Sequence, residues 1–396
     1  MSKKIKSLVF LGLALVLTFS LVAVACAPKA QAPSGDLVPK SDLTKAQADL
    51  AAEKQKTAAA EKKTKDLEAQ LAAGQKPAEV YRWEPATWIS EGPQYDTLVY
   101  FSDYINNSSD GRIVSTPSAA GAICPVDQQA EAVGSALTSA MAPAGTYYGG
   151  KIPMTGLYGA GVGLNDYHEF VIAYTVFKDG RAQELLFGEY EKTFNVEAVG
   201  DFLGPQDITM GSNRPIDTVA DLKGLKFRCG DEAIAGPLAG LGASTTWIPA
   251  SETYVALATN VFDAFTMGSP GDNYAMAFHE VTKYWLKWPK LMIVYESPFL
   301  VNRDVWNDMP ADLQAQVKAA VDAADNKSQL DAEIAIYDAW AAVIEYGIIP
   351  VTWSAEDAQK WVTEQLKWAK AIEDRDPPTA ELMNIVREYR KFLGYD

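Results

Sequence analysis

The hydrophobic and polar positions divide the chain into three parts of different character. The first part begins with Lys3, Lys4 and Lys6 and continues with an almost unbroken apolar run, Leu8–Val24. A basic segment followed by an apolar segment and small residues is typical of a secretory signal peptide. The alternative is a plain transmembrane anchor, because the run is just long enough to span a bilayer.

The end of the apolar run distinguishes these alternatives. It has the sequence L-V-A-V-A-C, from Leu21 to Cys26, and resembles the bacterial lipobox, in which a cysteine after small residues is lipidated before cleavage. A simple membrane span would have no use for Ala23 and Ala25 followed by a cysteine. We therefore expect residues 1–25 to be a lipoprotein signal peptide. Cys26 would carry the lipid and anchor the protein to the membrane outside the cytoplasm, in the periplasm or on the outer face.

The second part, residues 26–76, has the composition of a tether. Up to residue 40 it is rich in Ala, Pro, Ser and Lys, and beyond that in Ala, Lys, Glu and Gln, which favour a helix. Leu43, Leu50 and Leu71 share a seven-residue register, but threonines occupy the two positions between them, which makes a poor coiled-coil seam. A solvated helix or fluctuating spacer is favoured over a coiled coil. It would reach up to about 50 Å from the lipid surface.

The third part, residues 77–396, alternates between stretches that predict strands and stretches that predict helices. Strands separated by helices of this length indicate βαβ units and a largely parallel sheet. The predicted strands are Val80–Trp88, Arg112–Pro117, Leu225–Cys229 and Thr245–Ile248. The predicted helices are Gln94–Asn106, Val126–Ser139, Thr218–Gly224, Glu232–Gly240 and Ser251–Asn260, the last of them capped by Ser251.

A long stretch near the C-terminus, Ala311–Tyr346, contains neither Gly nor Pro. As one helix it would be about 54 Å long, which is more than one lobe of a protein this size needs. Such a helix either spans two lobes or breaks at a point that the sequence does not show.

Composition and charge narrow the function. About 320 residues of mixed composition are ample for a large core, in two domains or one large α/β unit. The whole chain has a formal charge of −16, and because residues 1–76 carry +5, the third part carries −21. So negative a surface argues against nucleic acid or an acidic membrane as a partner. Any bound anion must be held by a local positive group.

Few residues are available for catalysis. Apart from Cys26 the cysteines are Cys124 and Cys229, which could form one disulfide or remain two free thiols. The two histidines, His168 and His279, stand in no metal-binding or nucleophile motif, and no phosphate-binding or dinucleotide-binding glycine pattern is present. We therefore expect no enzyme and no cofactor.

Several motifs in the third part resemble the substrate-binding proteins of TRAP transporters, the tripartite ATP-independent periplasmic carriers. No single motif is decisive, but their order and spacing together are fairly specific, and the resemblance covers residues 80–396. The motifs are W-E-P-A-T-W (Trp83–Trp88), D-L-K-G-L-K-F-R (Asp221–Arg228), L-G-A-S-T-T-W-I-P (Leu241–Pro249), S-E-T-Y-V-A-L-A-T-N-V-F-D-A (Ser251–Ala264), A-F-H-E-V-T-K-Y-W (Ala277–Trp285) and V-N-R-D-V-W (Val301–Trp306).

This resemblance implies a fold and a function. The fold would be a two-lobed α/β binding protein with hinge strands and a long helix crossing both lobes. Lobe I would span about 77–205 and lobe II about 206–290, each with later returning segments. The protein would deliver a small organic acid to the TRAP membrane permease subunits. The alternatives are a binding protein of an ABC importer, which shares the two-lobed architecture, and a secreted enzyme.

Arg228 is the main candidate for binding an acid. It lies at the end of a predicted strand, where α/β proteins commonly bind ligands, and a guanidinium can hold a carboxylate through two parallel hydrogen bonds. In the TRAP family the arginine at this position binds the substrate carboxylate. The alternative is a surface arginine paired with Asp231 or Glu232.

Three aromatic residues occupy positions that face the cleft in similar proteins: Trp88, Tyr147 and Tyr148. Rings with a polar tip suit a pocket that closes on a ligand. Ordinary core packing is the alternative for each. If the two tyrosines lie on a strand, one of them must point away from the cleft.

The chain departs from its relatives at the positions of a metal site. The subgroup that it most resembles binds oxo and hydroxy acids, sometimes through a bridging cation. That subgroup has Gln at the position of Thr209, Glu-Trp at Thr266-Met267 and a polar residue near Leu291. Thr and Leu are not the carboxylate or carbonyl donors that hard cations need, and Asp263 or Asp272 could substitute only if the register shifts. We therefore expect no metal, and a pocket that favours a more apolar acid.

Overall fold

The computed structural model describes residues 79–395 except 161, 163, 165, 206, 292 and 293, together with the isolated positions 57, 62 and 65. Residues 78–396 form a compact unit distinct from residues 1–77. The predicted signal peptide, Cys26 and almost all of the tether lie outside the described residues. Among the residues that are described, no helix combines the length and apolar character needed to cross a membrane.

The strands of the described part form three sheets. A parallel pair joins β1 (Tyr81–Trp83) and β2 (Ile113–Ser115), and an antiparallel sheet has the order β3 (Ala140–Met141), β10 (Val294–Asn302), β4 (Val196–Pro205). The third sheet has the order β11 (Ile349–Thr352), β9 (Tyr284–Trp288), β5 (Thr209–Ser212), β8 (Ala264–Met267), β6 (Lys226–Cys229), β7 (Ser244–Thr246). The first two sheets belong to lobe I and the third to lobe II.

Helices cover both lobes. They are α1 (Pro93–Ser108), α2 (Gln129–Gly134), α3 (Met154–Ala160), α4 (Tyr167–Val171), α5 (Arg181–Thr193), α6 (Glu232–Gly240), α7 (Ala250–Ala258), α8 (Pro270–Ala275), α9 (Arg303–Asp308), α10 (Ala311–Tyr346), α11 (Ala355–Glu373) and α12 (Pro377–Leu393). Short 3₁₀ turns include Gly145–Tyr148 and Val219–Leu222. The predicted two-lobed α/β class is confirmed.

The long helix α10 is continuous over its 36 residues and links the cores of the two lobes. Near its start Val317 packs in a buried cluster with Phe299 of lobe I. Near its end Trp340 packs on Trp285 of lobe II, with ring centroids 6.1 Å apart. The prediction that this Gly- and Pro-free stretch spans both lobes is therefore confirmed.

The prediction of a largely parallel sheet is confirmed only in part, because parallel and antiparallel strand pairs are both present. β6 is parallel to both of its neighbours, but β5 is antiparallel to β8 and to β9. β10 is likewise antiparallel to β3 and β4. β4 ends at Pro205 and β5 begins at Thr209, so the chain crosses between the lobes within a few residues. β5 therefore enters lobe II against the direction of the βαβ strands there.

Several predicted elements have different ends. β1 stops at Trp83, shortly before Pro85, and the helix predicted over 126–139 ends at Gly134, after which Ala136 adopts a positive φ of 61°. The segment 218–224 forms only one 3₁₀ turn. The predicted Ser251 cap is wrong, because α7 begins at Ala250 with Pro249 in the capping position.

Candidate functional site

Arg228 is the next-to-last residue of β6 and is completely buried. Its Nε and Nη2 donate to the Ile248 carbonyl oxygen at 3.2 and 2.9 Å, and its Nη1 donates to the Thr266 carbonyl oxygen at 3.2 Å. A guanidinium has five N–H donors, so these bonds leave one on each terminal nitrogen, and the Tyr147 phenol lies close enough to accept from one of them. Arg228 is therefore not a surface residue, and the N–H groups on its terminal nitrogens can donate to a planar oxyanion.

A cavity between the lobes gives access to this arginine. Trp88, Ala144, Thr146 and Tyr147 line it from lobe I. From lobe II it is lined by Arg228, Gly230, Asp231, Met267 and Gly268. Glu296 of strand β10 lines it as well. The cavity thus combines one guanidinium, two carboxyl groups and several apolar walls.

Tyr147 closes one side of the cavity. Its ring meets the ring of Trp247 from the opposite lobe edge to face, with centroids 5.6 Å apart. Burial raises the pKa of the Tyr147 phenol, while attraction and a hydrogen bond from the Arg228 guanidinium act to lower it. The phenol therefore stays protonated next to the guanidinium and can share an oxyanion with it.

Tyr148 points away from the cavity into the core of lobe I. Its hydroxyl oxygen accepts a hydrogen bond from the Ala130 amide at 2.8 Å, and its ring packs against Tyr190 and Phe194. Burial raises the pKa of its phenol far above the ordinary value. Of the two adjacent tyrosines, the structure brings only Tyr147 to Arg228.

Of the four positions expected to replace a metal site with a less polar pocket, only one has a side chain that lines the cavity. Met267 lines the cavity, whereas Leu291 lies in the large core cluster. Thr209 is buried opposite Met267 in the strand pair, and its hydroxyl donates to the Asp207 carbonyl at 3.3 Å. Thr266 supplies the backbone carbonyl that holds Arg228, while its buried hydroxyl interacts with the Cys229 thiol.

The residues present do not fit a cation site at these positions. Asp263 accepts from the Lys226 amide at 2.8 Å. Asp272 caps α8 by accepting from the amide and hydroxyl of Ser269, at 3.0 and 2.8 Å. Among the described residues, no group of three His, Cys, Asp or Glu side chains is placed to hold a metal ion.

Sequence reasoning missed Glu296, which lines the cavity and is only 1% exposed. Burial raises its pKa well above the ordinary value, and the neighbouring Asp201 carboxyl raises it further. The available signal was a single acidic residue inside the otherwise apolar and small strand Val294–Asn302. Nothing in that pattern showed that its side chain faces the cleft.

The remaining candidates lie apart from the cavity. Cys124 and Cys229 are both free thiols, so the two do not form the one disulfide that the sequence allowed. His168 is exposed and lies 3.9 Å from Glu333, and His279 stacks on Tyr274 with ring centroids 4.6 Å apart. Neither histidine lines the cavity at Arg228.

Comparison with known proteins adds three relatives. A monocarboxylate 2-oxoacid-binding periplasmic protein of Nostoc sp. is 28% identical over 222 residues, which cover 54% of this chain and 57% of the relative. The match thus spans little more than half of that relative. A TRAP transporter solute-binding protein of Bordetella bronchiseptica, solved with calcium and picolinate, has a TM-score of 0.71 at 20% identity, over 80% of this chain and 93% of its own. A TRAP periplasmic solute-binding protein of Colwellia psychrerythraea, solved with calcium and pyruvate, has a TM-score of 0.69 at 24% identity. That match covers 80% of this chain and 95% of the Colwellia chain.

At these identities the solved structures establish the fold, and the family rests on the sequence itself. Residues 86–375 match the family described as bacterial extracellular solute-binding protein, family 7. That range includes most of both lobes, with Trp88, Tyr147, Arg228 and Glu296 of the cavity. The chain therefore belongs to this family of solute-binding proteins.

Proposed function

We propose that the protein is the extracytoplasmic receptor of a TRAP transporter and captures a small carboxylic acid in the cavity at Arg228. The observation that carries the proposal is the guanidinium itself. It is fully buried, it is held in place by two backbone carbonyls, and its terminal nitrogens have N–H groups beyond those three bonds that a ligand can share with the Tyr147 phenol. The Asp231 carboxyl in the same cavity acts on this charge electrostatically, and a ligand carboxylate can add the paired hydrogen bonds that a buried guanidinium favours.

The walls of the cavity support an acid with an apolar body. Trp88 and Ala144 from lobe I and Met267 from lobe II surround the guanidinium. Apolar side chains cover the carbon skeleton of a ligand, while a few polar groups orient it. Oxo, hydroxy and more apolar monocarboxylates all meet this description. The ligand names of the relatives, pyruvate, picolinate and 2-oxoacids, belong to the same chemical class.

The proposal includes a lipid anchor at Cys26 and transfer of the ligand to TRAP permease subunits. Replacement of Cys26 by Ala should leave the precursor uncleaved by the lipoprotein peptidase and unlabelled by fatty-acid analogues. Equal labelling of the variant and the parent protein would exclude the anchor. A neighbouring gene that encodes a TRAP-type permease agrees with the proposal, and a transport ATPase there would favour the ABC importer.

The binding function is tested by native mass spectrometry of protein purified without added ligand. We expect a co-purified acid on the wild-type protein and none on Arg228→Ala. The matched control is Arg214→Ala, because Arg214 lies in the loop after β5, outside the cavity. An acid bound equally to all three proteins would place the site elsewhere.

A further inference from the structure

Glu296 is one of the two carboxyl groups that line the cavity, and it lies on strand β10 rather than on lobe II with Arg228 and Asp231. Its side chain is 1% exposed. Of the residues that the structure describes, Tyr190 is the one whose side chain donates to this carboxyl group. A single hydroxyl satisfies one oxygen, and a carboxylate has two oxygens that accept hydrogen bonds. The other oxygen is buried and has no hydrogen-bond donor within the described part of the chain.

The surroundings of Glu296 are acidic. Asp201 on the paired strand β4 accepts from the Ser297 amide at 2.9 Å, and its second oxygen is buried without a hydrogen bond. Asp325 of α10 accepts from the Leu203 amide and from Gln329. Among the described residues, no lysine or arginine side chain lowers the pKa of Glu296, Asp201 or Asp325. This end of the cavity thus lacks the positive charge that buried carboxyls normally have.

The Glu296 carboxyl group occupies the space next to Gly145, where any other residue would place its Cβ atom. A Cβ atom added to Gly145 would lie 1.3 Å from Glu296 Oε2. No side chain larger than glycine fits there unless the carboxyl moves. Gly145 begins the 3₁₀ turn that carries Thr146 and Tyr147, which also line the cavity. The backbone of this turn therefore packs closely against the Glu296 carboxyl, and the same turn carries two residues of the cavity wall.

We propose that the ligand is an acid that also carries an N–H donor, an amino or imino acid, whose carboxylate binds Arg228 and whose nitrogen binds Glu296. The inference rests on the proposed carboxylate-binding function and names its substrate class. A cationic nitrogen satisfies the open oxygen and supplies the missing positive charge. A hydroxyl supplies a hydrogen bond but no charge, and an oxo group supplies neither a donor nor a positive charge. The acidic end of the cavity therefore selects against plain oxo acids.

The test compares matched acids that differ only in the amino nitrogen. The probes are L-leucine with 4-methylpentanoate, L-proline with cyclopentanecarboxylate, and 4-aminobutanoate with butanoate, each titrated calorimetrically. A hydrogen bond to a charged group is worth enough that the wild-type protein should bind at least one amino member about ten-fold or more tighter than its partner. In Glu296→Gln this preference should fall to about three-fold or less, because a neutral amide gives no charge-assisted hydrogen bond to the ligand nitrogen.

Two glycine variants provide an independent arm. Gly145→Ala displaces the carboxyl without removing it and should reduce the preference as Glu296→Gln does. Gly188→Ala is the control, because a Cβ there meets no atom within 4 Å, and it should behave as wild type. A preference that survives in Glu296→Gln, or a wild-type protein that binds plain acids as tightly as amino acids, would overturn the inference.

The two proposals fail in distinguishable ways. If plain acids bind and Arg228→Ala abolishes their binding, the carboxylate receptor stands and only the role of Glu296 is wrong. If no acid of either kind shows binding that depends on Arg228, the proposed function is wrong as well, and the inference falls with it.

Discussion

The Ile248 carbonyl oxygen accepts two hydrogen bonds from Arg228, from Nε at 3.2 Å and from Nη2 at 2.9 Å. Ile248 follows β7, the edge strand next to β6. Two bonds to one atom fix the plane of the guanidinium, so its outer edge has a defined direction before any ligand arrives. Preorganisation of this kind lowers the cost of binding.

Removal of this group should weaken binding strongly. In Arg228→Ala the ligand carboxylate would be buried without a partner, which typically costs about 2–5 kcal/mol, or roughly 30-fold to several thousand-fold in affinity. Arg228→Lys should recover only part of the loss, because an ammonium cannot reproduce the planar fork. Calorimetric titration with the co-purified acid measures both variants. Thermal unfolding without ligand checks that they fold, and unchanged affinity in Arg228→Ala would show that the site lies elsewhere.

Ligand binding should not require a metal ion. Thr209, Thr266 and Leu291 offer no carboxylate, and Asp263 and Asp272 are engaged with backbone amides. Affinity should therefore survive exhaustive chelation and dialysis. The measurement is a titration before and after this treatment, with Ca²⁺ and Na⁺ added back. A loss of about ten-fold or more, near 1.4 kcal/mol, that either ion restores would reveal cation ligands at other positions.

The contact between Tyr147 and Trp247 should favour the closed cleft. An edge-to-face pair of aromatic rings contributes about 0.5–1.5 kcal/mol, so Trp247→Ala should weaken ligand affinity by about 2- to 12-fold. Trp288→Ala is a matched control, since Trp288 is similarly exposed, at 43% against 38%, but lies at the end of β9 and takes no part in the ring contact with Tyr147. An equal effect of the two variants would mean that the ring contact does not contribute to closure.

The unliganded protein should become less stable as the pH rises from 5 to about 7.5. Burial raises the pKa of Asp325 to about 7 and that of Asp272 to about 6, against about 3.9 in an unfolded chain. The folded protein therefore holds more protons in this range. The stability that these protonated carboxyls contribute is present at low pH and is lost as the pH rises through the folded pKa values.

Thermal unfolding across this pH range measures the effect. Asp325→Asn should flatten the dependence, because an amide does not titrate and its carbonyl can still accept from the Leu203 amide. Asp338→Asn, an exposed position on the same helix, should leave the slope as in wild type. The same slope in Asp325→Asn and wild type would assign the pH dependence to other groups.

Local features were the ones that sequence predicted well. The span of α10 followed from the absence of Gly and Pro between Ala311 and Tyr346, because helix continuity depends mainly on neighbouring residues. Arg228 was recognisable from its place at the end of a short strand and from the motif around it. The ends of α2 and α7 were less predictable, because the caps depend on backbone geometry around Gly134 and Pro249.

By itself the sequence determined the family, the long helix and the strand that carries Arg228, since these depend on residues close together in the chain. Only the tertiary structure decided which side chains share the cavity. It turned Tyr147 towards Arg228 and Tyr148 into the core, placed Leu291 in the core, and brought Glu296 to the cleft. Arg228 and Glu296 are far apart in the chain. Their meeting depends on how β6 and β10 lie in two different sheets, and no local pattern encodes such a relation.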